Sequence, residues 1–225
     1  MRLKICCISS LAEARLAIDA GAHALGLVSA MPSGPGPIDE GLIAEISAKV
    51  PPGVATFLLT SRSDADGILA QLRRTRAGVV QLVDAVPRDV YAALREGAPS
   101  VRLVQVIHVR DDDAVREAME AAPHVDALLL DSGNPTLAVK ELGGTGRVHD
   151  WKVSRTIRDA SPVPVWLAGG LRADNVVEAI AAVEPFGLDV CSGVRTGGRL
   201  DPAKLEAYLD AIASVTDRRP PLLDA

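Results

Sequence analysis

Eight short apolar runs, each followed by a stretch with helix signals, recur along the chain and leave few folds open to it. The runs are Leu3 to Cys6, Ala24 to Val28, Val54 to Leu59, Gly78 to Leu82, Arg102 to Ile107, Ala127 to Leu130, Val163 to Ala168 and Leu188 to Cys191. They are near-continuous rather than alternating, as strands buried on both faces of a parallel sheet are. Helix starts fall between them. Ser9 or Ser10 precedes Ala12 to Ala20, and Asp39 precedes a helix to about Val50. Ser63 or Asp64, Pro87, Asp111 to Asp113, Asp150, Asp174 or Asn175, and Asp201-Pro202 begin the others. Short polar caps, acidic first turns and first-turn proline are the residues that such positions favour. In 225 residues each unit has about 28, compact for a (β/α)8 barrel but feasible with short connections. The prediction is an α/β chain, a single-domain TIM barrel over residues 1–215, with 216–225 as a loose tail. An open doubly wound sheet fits less well, because no Gly-rich loop follows the first run.

The last three runs end distinctively. The sixth leads to Asp131 and then Gly143-Gly144-Thr145-Gly146; the seventh leads to Gly169-Gly170, the eighth to Ser192-Gly193. Glycines at strand ends allow close backbone approach to a ligand and offer N–H donors. In β/α barrels a phosphate commonly sits at the loops after strands seven and eight. The three turns together predict a phosphate cradle.

Charge and cysteine content narrow the partners. The formal net charge is -5, which argues against a broad nucleic-acid surface. No apolar run approaches the roughly 18 residues of a membrane span, and no signal-peptide pattern opens the chain, so the cytoplasm is the expected compartment. Three cysteines, Cys6, Cys7 and Cys191, do not read as a disulfide framework, and nothing at ligand spacing predicts a zinc site. On one strand, the side chains of Cys6 and Cys7 are expected on opposite faces.

Barrel active sites lie at the C-terminal strand ends. The reactive residues expected there are Cys6 or Cys7, Gln81, His108 and Asp131, with Asp189 inside the last strand. A thiolate and a carboxylic acid flanking a small substrate can act as base and acid. With a phosphate anchored at the glycine turns, that pair suits proton shuffling around a sugar carbonyl.

The same residues resemble the phosphoribosylanthranilate isomerases of tryptophan biosynthesis. Lys4-Ile5-Cys6 resembles the family's K-I/V-C-G opening. LLLD ending at Asp131, followed by GGTGRVHDW at 143–151, is similar to LLD…GGTGxxFDW. LAGGLRADNV at 167–176 resembles LAGGLxPxNV, and PFGLDVCSGV at 185–194 resembles PxGVDVSSGVE. The resemblance implies an aldose–ketose (Amadori) rearrangement of N-(5-phosphoribosyl)anthranilate. It implies Cys6 as general base and Asp131 as general acid, with the phosphate held at Gly144, Gly146, Gly170, Ser192 and Gly193, next to Gly169. It also implies no cofactor and no metal. The expected partner is a small phosphorylated sugar-amine, with neither nucleic acid nor membrane, and the expected state is monomer or homodimer.

The departures cluster on the side expected to hold the aromatic acid. Ser33-Gly34-Pro35-Gly36-Pro37-Ile38 carries no arginine where the family pattern is S-x-R-x-I/V. Gln81-Leu82-Val83-Asp84 replaces QLHG, Cys7 replaces a glycine, and Arg195 replaces the glutamate after SGV. Lys4, Gln81, His108 and Arg195 are the candidate substrate-binding residues, with Arg195 a substitute cation. Two alternatives remain at this point: a related isomerase acting on another phosphosugar amine, and a phosphate-ligand binding protein without turnover.

Overall fold

The computed structural model describes residues 1–134, 136–137, 140, 142 and 146–216. Eight parallel strands close into a barrel: β1 (Arg2–Ile5), β2 (Ala24–Val28), β3 (Ala55–Thr60), β4 (Val79–Leu82), β5 (Arg102–His108), β6 (Ala127–Asp131), β7 (Val165–Leu167) and β8 (Gly187–Val190). Each pairs with the next, and β1 pairs with β8 through Ile5 opposite Val190. The helices between and after them are α1 (Leu11–Asp19), α2 (Glu40–Lys49), α3 (Ala65–Thr75), α4 (Arg88–Gly97), α5 (Asp113–Ala121), α6 (Trp151–Ala160), α7 (Val176–Val183) and α8 (Pro202–Thr216). The predicted barrel is therefore observed. The proposed tail lies, from residue 217 onward, outside the described residues.

Several predicted helix starts are seen atom by atom. Ser10 accepts from the Glu13 amide, Asp39 from Gly41, Asp64 from Gly67 and Asp150 from Lys152, each satisfying an otherwise orphaned first-turn N–H. Asn175 works differently: its Oδ1 accepts from the Arg172 amide and its Nδ2 donates to Gly170 O at 3.0 Å, so it braces the loop ahead of α7.

Two apolar layers hold the fold. One lies between barrel and helices, and includes Ile5, Leu25, Leu58, Leu82, Leu103, Leu128, Leu167 and Leu188 from the strands. The other fills the barrel itself, with Val28, Phe57, Leu59, Val79, Val104, Val106, Leu129 and Trp166. Phe57 and Trp166 meet edge to face at 5.9 Å between ring centroids. No helix among the described residues is long and apolar enough to cross a membrane.

Candidate active site

The upper end of the barrel opens into a cleft. Cys6 and Cys7 line it from the end of β1, Gln81 from β4, Asp131 from the end of β6, Gly169-Gly170 from the loop after β7, and Asp189, Cys191 and Ser192 from β8 and beyond. Residues from opposite ends of the chain meet because the ring closes β8 onto β1.

Cys6 is built in from below, from the side and from behind. Below it, Lys4 is fully buried, with its Nζ 2.7 Å from Asp189 Oδ2 and 3.5 Å from Cys6 Sγ. The same ammonium lies 5.2 Å from the Phe57 ring centroid, over a face that favours a cation. Burial works against a charged Lys4, yet Asp189 and Cys6 hold it above its ordinary range. Beside Cys6, on β2, is Gly26. A Cβ there would lie 2.6 Å from Cys6 Sγ, so only glycine leaves room for the sulfur. Behind it, Arg195 Nη2 donates to the carbonyl oxygens of Cys6 and Cys7, at 2.9 and 2.6 Å.

The Cys6 thiol sits below its ordinary pKa. Its hydrogen bond with the Cys7 thiol is the main cause, burial opposes it, and the Lys4 charge helps. A lowered thiol pKa supplies thiolate near neutral pH. Burial pushes Asp189 up, against the opposing pull of Lys4.

Asp131 ends β6 and is almost buried, its Oδ1 accepting from Ser132 N at 2.7 Å. His149 stands on its flank. The imidazole Nδ1 is buried without a hydrogen-bond partner, and Nε2 lies 2.7 Å from Ser154 Oγ. Burial pushes this histidine down, and Asp131 and Asp150 oppose the shift. His149 is not among the residues expected at the site. The signal was present: HDW stands where the resembled motif has FDW.

The residues expected to cradle a phosphate come from several loops. Gly169 and Gly170 adopt φ of 80° and 62°, conformations that L side chains rarely take. Gly146 approaches Ser192: a Cβ on it would be 3.6 Å from Ser192 Oγ. Gly146, Gly169, Gly170 and Ser192 all line the cleft, and Gly193 packs against Leu171 behind them. Gly144 lies outside the described residues.

Other expected positions come out differently. Cys6 and Cys7 were expected on opposite faces, yet both line the cleft, because β1 ends at Ile5 and Cys7 turns into left-handed backbone at φ 61°. Arg195 does not present its cation to the cleft. It is buried, paired with Glu13 through Nη1 at 3.2 Å to each carboxylate oxygen, and donates to Gly198 O at 3.0 Å. Lys4 lies beneath the cleft rather than on its wall. His108 turns away to a separate hollow lined with Tyr91, Gln105 and Arg110, its Nε2 2.9 Å from Val83 O. Gln81 does line the cleft, with its buried Oε1 unpaired. Among the described residues no group of three or more His, Cys, Asp or Glu could hold a metal ion.

Residues 3–211 match the family model described as N-(5'phosphoribosyl)anthranilate (PRA) isomerase. The chain is 40% identical over 202 residues to an N-(5'-phosphoribosyl)anthranilate isomerase of Halorubrum lacusprofundi, covering 89% of this chain and 91% of that one. It is 32% identical to one from Methanosarcina acetivorans, covering 94% and 92%. The crystal structure of the Thermotoga maritima phosphoribosyl anthranilate isomerase superposes with a TM-score of 0.81 at 27% identity, covering 96% of this chain and all of that one. A phosphoribosyl anthranilate isomerase in complex with reduced 1-(o-carboxyphenylamino)-1-deoxyribulose 5-phosphate superposes at 0.78 with 25% identity, over 96% of this chain and all of that one.

Proposed function

The chain belongs to the N-(5'-phosphoribosyl)anthranilate isomerase family, and from that premise we propose that it performs an Amadori rearrangement with Cys6 as base and Asp131 as acid. Its activity is that of the family, phosphoribosylanthranilate isomerase. The observation that carries the finer reading is the shared cleft: Cys6, Asp131 and the glycine turns line one pocket, with a buried ammonium under the sulfur.

The steps follow from the groups present. The substrate phosphate rests on the turns at Gly146, Gly169, Gly170, Ser192 and Gly193. The Asp131 carboxylic acid gives its proton to the ribose ring oxygen as the bond from that oxygen to C1 breaks, and the amine lone pair forms the C1=N bond. The Cys6 thiolate then takes the proton from C2, and the electron pair of that C–H bond moves to restore the amine as an enaminol. Tautomerisation of the enaminol gives the ketose. Atoms balance, and no net oxidation occurs. Lys4 compensates negative charge on Cys6 without entering the cleft, and Arg195 fixes the backbone that carries the sulfur. The aromatic ring lies against the apolar wall of Val28, Met31, Pro35, Leu59, Val83 and Leu142.

The test is turnover of phosphoribosyl-anthranilate generated in place, followed by loss of anthranilate-type fluorescence, beside Cys6→Ser and Asp131→Asn. Turnover that collapses in both variants supports the assignment. Undiminished turnover in either variant removes that residue from its role.

A further inference from the structure

Three thiols stand where β1 and β8 emerge together. The Cys6 amide donates to Val190 O at 2.8 Å, so the chain after β8 rises beside the chain after β1. Cys7 leaves β1 in left-handed backbone, and its sulfur lies 2.8 Å from Cys191 Sγ. That is about 0.8 Å beyond the ~2.0 Å of a disulfide bond. Cys7 is held from the other side by the loop after β2: its Sγ is 3.6 Å from Pro35 O, and a Cβ on Gly36 would lie 2.6 Å from its Cβ. Both sulfurs are free thiols, Cys7 buried and Cys191 half-buried. The motifs set out above have glycine and serine at these two positions. Either cysteine alone would be a small side chain at the rim; together they make a pair.

We propose that Cys7 and Cys191 form a reversible disulfide across the cleft mouth, an oxidative modification that switches the isomerase off. The oxidant is a low-molecular-weight disulfide. The more accessible Cys191 attacks as thiolate, forming a mixed disulfide and releasing one small thiolate. The Cys7 thiolate then attacks Cys191 Sγ and releases the second. Two protein thiols are oxidised, one small disulfide is reduced to two thiols, and the two protons lost by the protein pass through solvent to the departing thiolates. A reducing dithiol reverses the sequence.

The consequence for turnover lies in the two segments that the bond would join. Cys7 follows Cys6 and Cys191 precedes Ser192, and all four line the cleft, so the cross-link ties the segment bearing the base to the turn bearing Ser192. Oxidation also takes away the Cys7 thiol, which draws Cys6 toward thiolate. The cross-link rests on the sulfur geometry alone; its effect on activity rests on the isomerase reading.

The experiment treats the full chain with oxidised glutathione, alkylates remaining thiols under denaturing conditions, and maps the peptides by fragmentation that separates Cys6 from Cys7. Turnover is followed in parallel. The expected result is a Cys7–Cys191 linkage with Cys6 alkylated, a loss of turnover of at least tenfold, and recovery with dithiothreitol. Cys191→Ser and, independently, Cys7→Ser should keep whatever turnover each has before treatment. Three alkylated cysteines after oxidation, or a linkage involving Cys6, would overturn the proposal. A mapped Cys7–Cys191 linkage with turnover unchanged would overturn the switch. A reduced protein without turnover would sink the isomerase reading instead, while the peptide map still decides the cross-link.

Discussion

The two halves of the barrel mouth are built on different chemistry. The half from β6 round to β1 is dense in buried polar groups: Lys4 against Asp189, Asp131 at its strand end, Arg195 on the cysteine carbonyls, and glycine turns beside Ser192. The half from β2 to β4 meets the cleft with Val28, Met31, Pro35, Leu59 and Val83, and Ser33 and Gln81 are its uncharged polar exceptions. Among the described residues, no lysine or arginine lines the cleft from either half. The polar half suits proton transfer and phosphate; the apolar half suits an aromatic ring and leaves its carboxylate without a charged partner on the wall. Lys140 is bonded to this rim. Its ammonium pairs with Asp84, and its carbonyl accepts from the Ser33 hydroxyl.

The contrast can be broken most severely at the polar half. Cys6→Ser and Asp131→Asn should each lower kcat by about 10²- to 10⁴-fold, the range for general acid or base catalysis, in a steady-state assay. Glu13→Ala comes next. It strips acceptors from the Ser9 and Leu200 amides and leaves Arg195 buried without its counter-charge. Breaking such a pair costs about 3–5 kcal/mol, read as a lower denaturant midpoint. The acid dependence has a definite sign. Burial raises the Glu13 carboxyl, but the two amides and Arg195 outweigh it and hold it below its ordinary value. Its contribution is thus complete above the unfolded-state pKa and is lost as pH falls through the lower folded value. Glu13→Gln should flatten that part of the stability–pH curve.

Adding charge to the apolar half sharpens the comparison. Pro35→Arg restores a cation within the loop after β2, and should lower KM for the anthranilate substrate by up to about tenfold, or ~1.4 kcal/mol, with kcat little changed. An unchanged KM would show that this loop does not face the carboxylate. The smallest expected effect is a movement of the acid limb of kcat/KM. In the proposed mechanism thiolate is the working form of Cys6, so activity should fall as pH drops through its lowered pKa. Cys7→Gly removes the thiol that lowers it, and should move that limb to higher pH. Glycine also suits the φ of 61° there, so the variant should fold.

What the sequence made legible follows the same division. Strands were readable because both faces are buried, and α1, α2, α3 and α6 because their caps are local: Ser10, Asp39, Asp64 and Asp150 act within three residues. Cys6, Asp131 and the strand-end glycines were readable because a barrel sends its strand ends to one mouth. Arg195 was not, since its direction is decided by Glu13, 182 residues away in sequence. Lys4 was misplaced for the same reason: its partner Asp189 is 185 residues away. Cys7 escaped the alternation rule because the strand stops two residues before it.

The Lys4–Asp189 pair gives the site a history as well as a shape. At a synthesis rate of about 5–20 residues per second, roughly 10–40 s separate the appearance of the two partners on a ribosome. Through that interval β1 has no β8 beside it, Lys4 has no counter-ion, and Arg195 has yet to reach the backbone of Cys6. Cys6, the proposed base, is among the early parts to be made and among the last to be set. A nascent chain labelled with a thiol reagent should therefore show Cys6 open until β8 and the Arg195 segment have left the exit tunnel, and closed soon after.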